Sequence, residues 1–197
     1  FISPALIKCY SIKQNKYHLH DVFGHTYKVL QHLPAGQDLV LHLAGMYHDV
    51  GKPESLSIDD KGGRHFYGHE IISEQIARKE LIDLKYDNKT IDEVCFLVRG
   101  HMDNMDLSDS PRVIRKMLNK YGDLIWKLIE LRRADMVGAG TKKEEAINEE
   151  INKFKKRVEE TLEEGSPVSI NQLAIDGHDI MRITGLPAGK EIGEVKD

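Results

Sequence analysis

A run of mostly apolar residues that ends in a histidine and an aspartate constrains this 197-residue chain more than any other feature. Residues 39–47 form the run, and His48 and Asp49 follow it directly. The run predicts a buried helix, where a charged or metal-binding pair destabilises the fold unless it has a partner. A divalent cation is one such partner. The pair therefore indicates a metal site, if further ligands lie elsewhere in the chain.

Composition narrows the class of protein. The chain is 40% hydrophobic and 30% charged, with a net charge of −4, which is typical of a soluble globular protein and argues against one coated in nucleic acid. No stretch reaches the roughly 18 apolar residues of a membrane span, and no secretory signal is recognisable, so no membrane partner is expected. Cys9 and Cys95 are too few for a disulfide framework, which favours a reduced, cytoplasmic protein.

Apolar residues recur at helical spacing along most of the chain, which predicts an all-α fold. Helices are predicted over residues 20–33, 38–50, 68–84 and 124–131. Two further starts are predicted, one at a capping box of Thr90 and Glu93 and one at Ser110-Pro111. Gly62 and Gly63 predict a polar loop over residues 55–64.

The last third of the chain differs in character. Thr141 and Glu144 form a second capping-box pattern, and Gly165 with Pro167 is expected to end the helix that follows. The expected buried stripe of that helix is Ile147, Ile151, Phe154, Val158 and Leu162. We therefore predict a metal-binding helical domain over residues 1–140 and a charged helix with a C-terminal tail over residues 141–197.

Several predicted helices each carry one potential metal ligand on an apolar face. Residues three, four or seven apart share a helix face. By this criterion five residues point inward: His25, His48, His69, His101 and Asp135. A single inward histidine is more often a hydrogen-bonded core residue, but an inward aspartate is rare. The five together indicate a common site, whereas His18, His20 and His32 are no better placed than His25.

This series resembles the HD-domain metal-dependent phosphohydrolases, whose pattern is a His, then His-Asp, then a distant Asp, with two more histidines in the two-metal version. The match extends over about residues 20–136. The resemblance implies an HD-domain helical bundle, here with an additional C-terminal helical arm. Imidazole and carboxylate ligands suit Mn, Fe, Co, Ni or Zn, and with water also Mg, so one or two divalent metal ions are expected.

A narrower resemblance is to the C-terminal HD half of bacterial tRNA nucleotidyltransferases, the CCA-adding enzymes. It rests on Tyr17-His18, residues 48–53, Gly68-His69-Glu70, Arg133-Ala134-Asp135 and the tail residues 185–193. The Asp-x-Asp pair of the polymerising half of those enzymes is missing from this sequence, so nucleotide addition is not expected here. Either a nucleotidyltransferase domain precedes Phe1, which the lack of an initial Met favours, or the chain is a stand-alone relative.

The resemblance also implies roles for individual residues. A first ion is expected on His25, His48, Asp49 and Asp135, and a second on His69 and His101, with Asp49 as the bridge. Two ions about 3.5–4 Å apart activate water and hold phosphate oxygens. The expected catalytic residues are Asp49 and Lys52. Lys52 either neutralises phosphate charge or protonates the leaving oxygen, or else it only stabilises a helix dipole.

Two functions remain open at this point. The resemblance implies a metal-dependent phosphohydrolase acting on phosphomonoesters or 2′,3′-cyclic phosphodiesters of nucleotides or RNA ends. The alternative is a non-catalytic, tRNA-binding helical arm of a tRNA nucleotidyltransferase-like protein. The complete ligand series favours the enzyme, and no Gly-rich phosphate loop supports a regulatory hydrolase of free nucleotides. Basic residues between Arg112 and Arg133 either follow an RNA backbone or form an ordinary helix surface.

Overall fold

The computed structural model describes residues 3–15, 17–36, 38–103, 111–164 and 181, and within them the fold is almost entirely helical. The helices are α1 (Pro4–Lys8), α2 (Val22–His32), α3 (Leu39–Tyr47), α4 (Lys52–Ser55), α5 (His69–Asp83), α6 (Asn88–Gly100), α7 (Pro111–Tyr121), α8 (Ile125–Ala139) and α9 (Glu144–Glu163). A hairpin of β1 (Ser57–Ile58) and β2 (Arg64–His65) lies between α4 and α5, and a 3-10 turn (Gly122–Leu124) precedes α8. The predicted all-α class is confirmed.

The described residues fall into two compact units. The first comprises the described part of residues 1–107 together with residues 123–154, and the second the described part of residues 108–122 and 155–197. All six expected ligands belong to the first unit. The predicted boundary at residue 140 stays a prediction. None of the described helices combines the length and apolar character that a bilayer span requires.

Helix pairs in the first unit bring together segments that are far apart in sequence. Helix α2 packs on α8, α5 on α6, and α3 on α6 and α2. Gly138 lets α8 approach α2 closely, because a Cβ there would lie 2.9 Å from Val29 Cγ2 and 3.0 Å from the Val29 nitrogen. This close approach puts the C-terminal part of α8 beside α2, where His25 and Asp135 meet.

Both predicted capping boxes are wrong. Helix α6 begins at Asn88, and its N-cap is Asp87, whose carboxylate accepts hydrogen bonds from the Thr90 amide and the Thr90 hydroxyl. The stronger cap stands earlier in the chain, so Thr90 lies in the first turn. Helix α9 begins at Glu144, so Thr141 lies before the helix and does not cap it.

The predicted loop over residues 55–64 contains a short antiparallel hairpin, in which Ser57 pairs with His65. Strands of two residues are too short to show alternation in sequence. The turn is built around Asp59, whose Oδ1 accepts hydrogen bonds from the Lys61 and Gly63 amides at 2.9 and 2.8 Å. This side chain therefore holds the hairpin in shape.

The buried stripe of α9 follows the prediction except at its end. Four of the five predicted residues are buried, but Leu162 is 45% exposed and Thr161 is buried in its place. The Thr161 hydroxyl donates to the Arg157 carbonyl at 2.8 Å, so it is buried without losing its hydrogen bond. Ser110, Gly165, Pro167 and the tail residues 185–193 lie outside the described residues.

Candidate metal centre

The six expected ligands come from five elements and meet at one point in the first unit. His25 lies within α2 and Asp135 within α8, whereas the others stand at or beside helix ends. His48 caps α3, Asp49 follows it, His69 begins α5 and His101 caps α6. The histidines and Asp49 are buried, and the Asp135 side chain is 16% exposed.

Backbone carbonyls orient three of the histidines in the same way. In each, Nδ1 donates to the carbonyl three residues earlier, at 2.8 Å from His48 to Gly45, 2.8 Å from His69 to Phe66 and 2.7 Å from His101 to Val98. A neutral imidazole whose Nδ1 carries the proton presents a lone pair at Nε2. This arrangement is typical of metal-binding histidines, because the carbonyl fixes both tautomer and ring orientation.

One group of side chains surrounds Oδ2 of Asp49. His25 Nε2 lies 3.4 Å and His48 Nε2 3.2 Å from this oxygen. His25 Nε2 also lies 3.0 Å from Asp135 Oδ1 and 3.3 Å from His48 Nε2. These atoms belong to the four residues expected to hold the first ion.

A second group surrounds the other oxygen of the same carboxylate. His69 Nε2 lies 3.2 Å and His101 Nε2 3.7 Å from Asp49 Oδ1. The two Nε2 atoms are themselves 3.2 Å apart. Asp49 therefore faces one histidine group with each oxygen, as expected of a bridging carboxylate.

The unsatisfied polar atoms of this cluster fit a cation. His69 and His101 direct their Nε2 lone pairs at each other, which is repulsive unless a positive charge lies between them. The buried Oδ1 of Asp49 makes no hydrogen bond within the chain. The sets His25-His48-Asp49 and Asp49-His69-His101 each bring their ligand atoms within 4.8 Å of one another. Nitrogen and carboxylate donors at such distances suit a divalent metal ion.

Charges and burial within the cluster favour the metal-binding forms of Asp49 and His101, whereas Asp49 raises the pKa of His48. Burial alone would raise the pKa of Asp49, but the nearby charges of His48 and Lys52 outweigh it and hold that pKa well below its usual value. Burial, together with the charge of His48, lowers the pKa of His101 to about 3. Asp49 is therefore ionised and His101 neutral near pH 7, the forms that bind metals.

Lys52 is buried beside the cluster. Its Nζ donates to Asp49 Oδ2 at 2.6 Å and to Gln14 Oε1 at 2.7 Å. Lysine is rarely buried without a partner, and here the partner is the central carboxylate. Lys52 begins α4 and does not lie in the last turn of α3. Its catalytic role stays a prediction.

Gly51 fixes the turn that carries His48 and Asp49. Its amide donates to Ser73 Oγ at 2.9 Å, and a Cβ there would lie 2.4 Å from the His69 carbonyl oxygen and 2.6 Å from the Ser73 nitrogen. Only glycine fits without moving backbone. The contact sets the turn against α5 and so brings His69 next to Asp49.

Helical spacing does not single out His18, which the structure places in the same cluster. His18 forms a third potential ligand set with His25 and Asp135. Its ring packs edge-on against His25, with centroids 4.8 Å apart. Burial and the charge of Lys52 lower the pKa of His18 to about 4. It lies before α2, outside any helical pattern, so periodicity gave no signal for it.

Carboxylates pair with several basic residues of the predicted Arg112–Arg133 series. Lys127 contacts Asp38 at 2.9 Å, and Arg133 contacts Glu130 at 3.0 Å. Arg132 contacts Asp135 at 3.3 Å, which places its guanidinium at the site. The pairs reduce the positive surface that remains for a nucleic-acid backbone, and they favour the ordinary-surface interpretation for Lys127 and Arg133.

The HD domain family model matches residues 17–164, a range that contains every ligand described above. The chain belongs to the HD domain family. The expected family resemblance is confirmed, and the similarity to tRNA nucleotidyltransferases is confirmed by two curated relatives. The first is a CC-adding tRNA nucleotidyltransferase of Thermus thermophilus, 29% identical over 195 residues, in an alignment that covers 96% of this chain and 42% of the relative.

The second relative is an A-adding tRNA nucleotidyltransferase of Deinococcus radiodurans. It is 30% identical over 201 residues, in an alignment that covers 98% of this HD-domain chain and 44% of the relative. The chain thus spans less than half the length of either relative.

Proposed function

We propose that this HD-domain chain is a metal-dependent phosphohydrolase that acts on phosphomonoesters or 2′,3′-cyclic phosphodiesters of nucleotides or RNA ends. The observation that carries the proposal is the position of Asp49, whose two oxygens each face a separate group of histidines. A carboxylate between two histidine groups suits a pair of divalent ions, the arrangement that serves phosphoester hydrolysis.

His25, His48, Asp49 and Asp135 would hold one ion, and His69 and His101 would hold the other together with Asp49. When bound, such ions lower the pKa of water and neutralise phosphate charge. His18 lies within reach of the first group and would be a further ligand. Neither cysteine belongs to the potential ligand sets of the described residues, and burial raises the pKa of Cys9 to about 12 and that of Cys95 to about 11.

The basic side chains of the site would bind the phosphate. Lys52 lies against Asp49 and lines the same pocket as the ligands. Arg132 donates one hydrogen bond to Asp135 and keeps a side chain that is 34% exposed, so other N–H donors of its guanidinium remain for a ligand. We assign Lys52 the role of stabilising charge on the phosphate or protonating the leaving oxygen.

The two relatives support RNA ends as the substrate class, since both are named as tRNA nucleotidyltransferases. The same likeness favours the alternative function, a non-catalytic tRNA-binding arm. The complete and buried ligand set favours hydrolysis, because an arm needs neither a bridging carboxylate nor carbonyl-oriented histidines.

The test combines metal analysis with hydrolysis of 2′,3′-cyclic AMP in Mn, Co, Ni or Mg. Wild-type protein should bind metal and hydrolyse the substrate, and Asp49→Ala should lose both. The matched control is Asp83→Ala, an exposed aspartate on α5 that should keep both properties. Hydrolysis that survives Asp49→Ala, or a wild type that binds none of these metals, would contradict the proposal and favour the tRNA-binding arm.

A further inference from the structure

An aromatic side chain stands exposed at the pocket that opens on the candidate metal centre. The pocket has a volume of about 430 Å³, and Tyr67 and His65 line it together with Asp49 and His69. Ligand pockets in proteins commonly measure about 300–1,000 Å³. Tyr67 is 77% exposed. A single exposed tyrosine is ordinary, so its significance depends on how it is held.

A chain of hydrogen bonds holds Tyr67 in place. The Asp59 carboxylate accepts a hydrogen bond from His65 Nε2 at 2.8 Å, which leaves Nδ1 to accept one from the Tyr67 hydroxyl at 3.1 Å. The hydrogen bond from His65, with those from the Gly63 and Lys61 amides, lowers the pKa of Asp59 and keeps it ionised. The hairpin turn thus sets the orientation of the tyrosine.

Stacking against His65 also holds the Tyr67 ring in place. The His65 and Tyr67 rings are nearly parallel, at 8°, with centroids 5.2 Å apart. One face of Tyr67 therefore meets His65, and its exposure leaves the opposite face to solvent. Nucleobases stack on aromatic rings, and this ring is held on one face and open to solvent on the other.

The same short segment also positions a candidate ligand. The Phe66 carbonyl accepts the hydrogen bond that orients His69, and Phe66 lies under Lys52 Nζ at 5.6 Å from its ring centroid. Tyr67 lies between Phe66 and His69 in the chain, so its place relative to the phosphate-binding groups is fixed by a few residues of backbone. Phosphate at the centre and a base at Tyr67 would occupy one continuous pocket.

We propose that Tyr67, supported by His65 and Asp59, is a nucleobase-stacking site that selects nucleoside phosphates over phosphoesters without a base. The inference rests on the proposed function only for the position of the phosphate. The base would come from a free nucleotide or from the terminal nucleotide of an RNA.

Binding, measured by calorimetry with metal present, tests the site without requiring turnover. The probes are adenosine 3′-monophosphate, a trinucleotide with a 3′-phosphate, and ribose 5-phosphate as the base-free reference. Tyr67→Ala should weaken binding of the probes with a base by about 5- to 150-fold, the range for loss of one base–aromatic stack. It should leave ribose 5-phosphate unchanged, and Tyr67→Phe should retain most of the affinity.

Tyr27→Ala is the matched control, because Tyr27 is exposed on α2 and is not among the residues that line this pocket. A loss for the mononucleotide assigns the site to free nucleotides, and a loss for the trinucleotide alone assigns it to RNA ends. Equal affinity of Tyr67→Ala and wild type for both, or equal losses for the base-free probe, would overturn the stacking site. A Tyr67-dependent affinity in a protein without hydrolytic activity would reject the proposed function and keep the site.

Discussion

His69 Nε2 and His101 Nε2 lie 3.2 Å apart, while each ring donates its Nδ1 proton to a backbone carbonyl. Two lone pairs at this distance repel each other, and the nearby Oδ1 of Asp49 supplies no proton. A cation between these atoms removes the repulsion. This pair makes the second metal position the more informative one to test, because its ligands are separate from those of the first except for Asp49.

Substitutions in the two ligand groups should lower the metal content by different amounts. His69→Asn removes a ligand of the second group only, so the bound metal should fall from about two ions per chain to about one. Asp49→Asn weakens both groups and should reduce the content further. Inductively coupled plasma mass spectrometry after gel filtration measures the ratio.

The control for metal content is Asp83→Asn, which removes an exposed carboxylate of α5 and should bind as much metal as wild type. If His69→Asn retains the wild-type content, the second position does not bind metal. If Asp49→Asn retains it, the bridging role of Asp49 is wrong.

Removal of the Lys52 charge should slow hydrolysis more than it weakens metal binding. Loss of one buried group that stabilises transition-state charge lowers kcat by roughly 10²- to 10³-fold. Lys52→Met should show such a fall for 2′,3′-cyclic AMP, with metal content unchanged. Lys127 lies on α8 and pairs with Asp38, so Lys127→Met should change kcat little. A Lys52→Met enzyme with wild-type kcat would limit Lys52 to a structural role.

A side chain at Gly51 should disturb the fold and the site together. The added Cβ would meet backbone atoms of α5, and such overpacking typically destabilises a protein by about 1–3 kcal/mol. Urea unfolding of Gly51→Ala should show this loss, along with weaker metal binding. Gln75→Ala, at an exposed position of the same helix, should stay within about 0.5 kcal/mol of wild type.

Acidification should destabilise the metal-free protein between pH 7 and 5. The pKa of His101 is about 3 and that of His18 about 4 in the folded chain, against 6.5 ordinarily, so the unfolded chain binds these protons more tightly. His48 acts in the opposite sense, because its charged neighbour Asp49 overcomes burial and raises its pKa. His101 and His18 together outweigh His48, so the free energy of unfolding should fall as the pH falls.

Urea unfolding with a chelator at pH 5, 6 and 7 measures this dependence. The lowered pKa values of Asp49 and Asp135 do not contribute in this range, because their effect is lost only in more acidic solution. His101→Asn should flatten the profile. A stability that rises on acidification would show that protonated His48 dominates the cluster.

The sequence predicted that the candidate ligands are buried, because the helical spacing of apolar residues identifies the face that packs inward. His25, His48, His69 and His101 lie on apolar faces in sequence and are buried in the structure. The interatomic distances, in contrast, depend on how helices pack. The sequence also does not predict that a backbone carbonyl orients the rings of His48, His69 and His101. These three hydrogen bonds form at helix ends, where helical spacing gives no information.

Features in loops escaped prediction for a related reason. His18 joins the cluster from an irregular segment, and His65 and Tyr67 depend on a hairpin whose strands have two residues each. Side-chain hydrogen bonds to Asp59 hold that hairpin, and periodicity does not register them. The Asp87 cap was missed because a capping-box pattern nearby matched the sequence rule equally well.

The approach of Gly138 to Val29 has a consequence for when the candidate metal centre forms during folding. His25 and Asp135 meet only after α2 and α8 have docked, and these helices stand at opposite ends of the first unit's sequence. Closing so long a loop is entropically unfavourable until the packing contacts form. A nascent chain therefore offers no complete first candidate site, and metal binding there would report that α2 and α8 have docked.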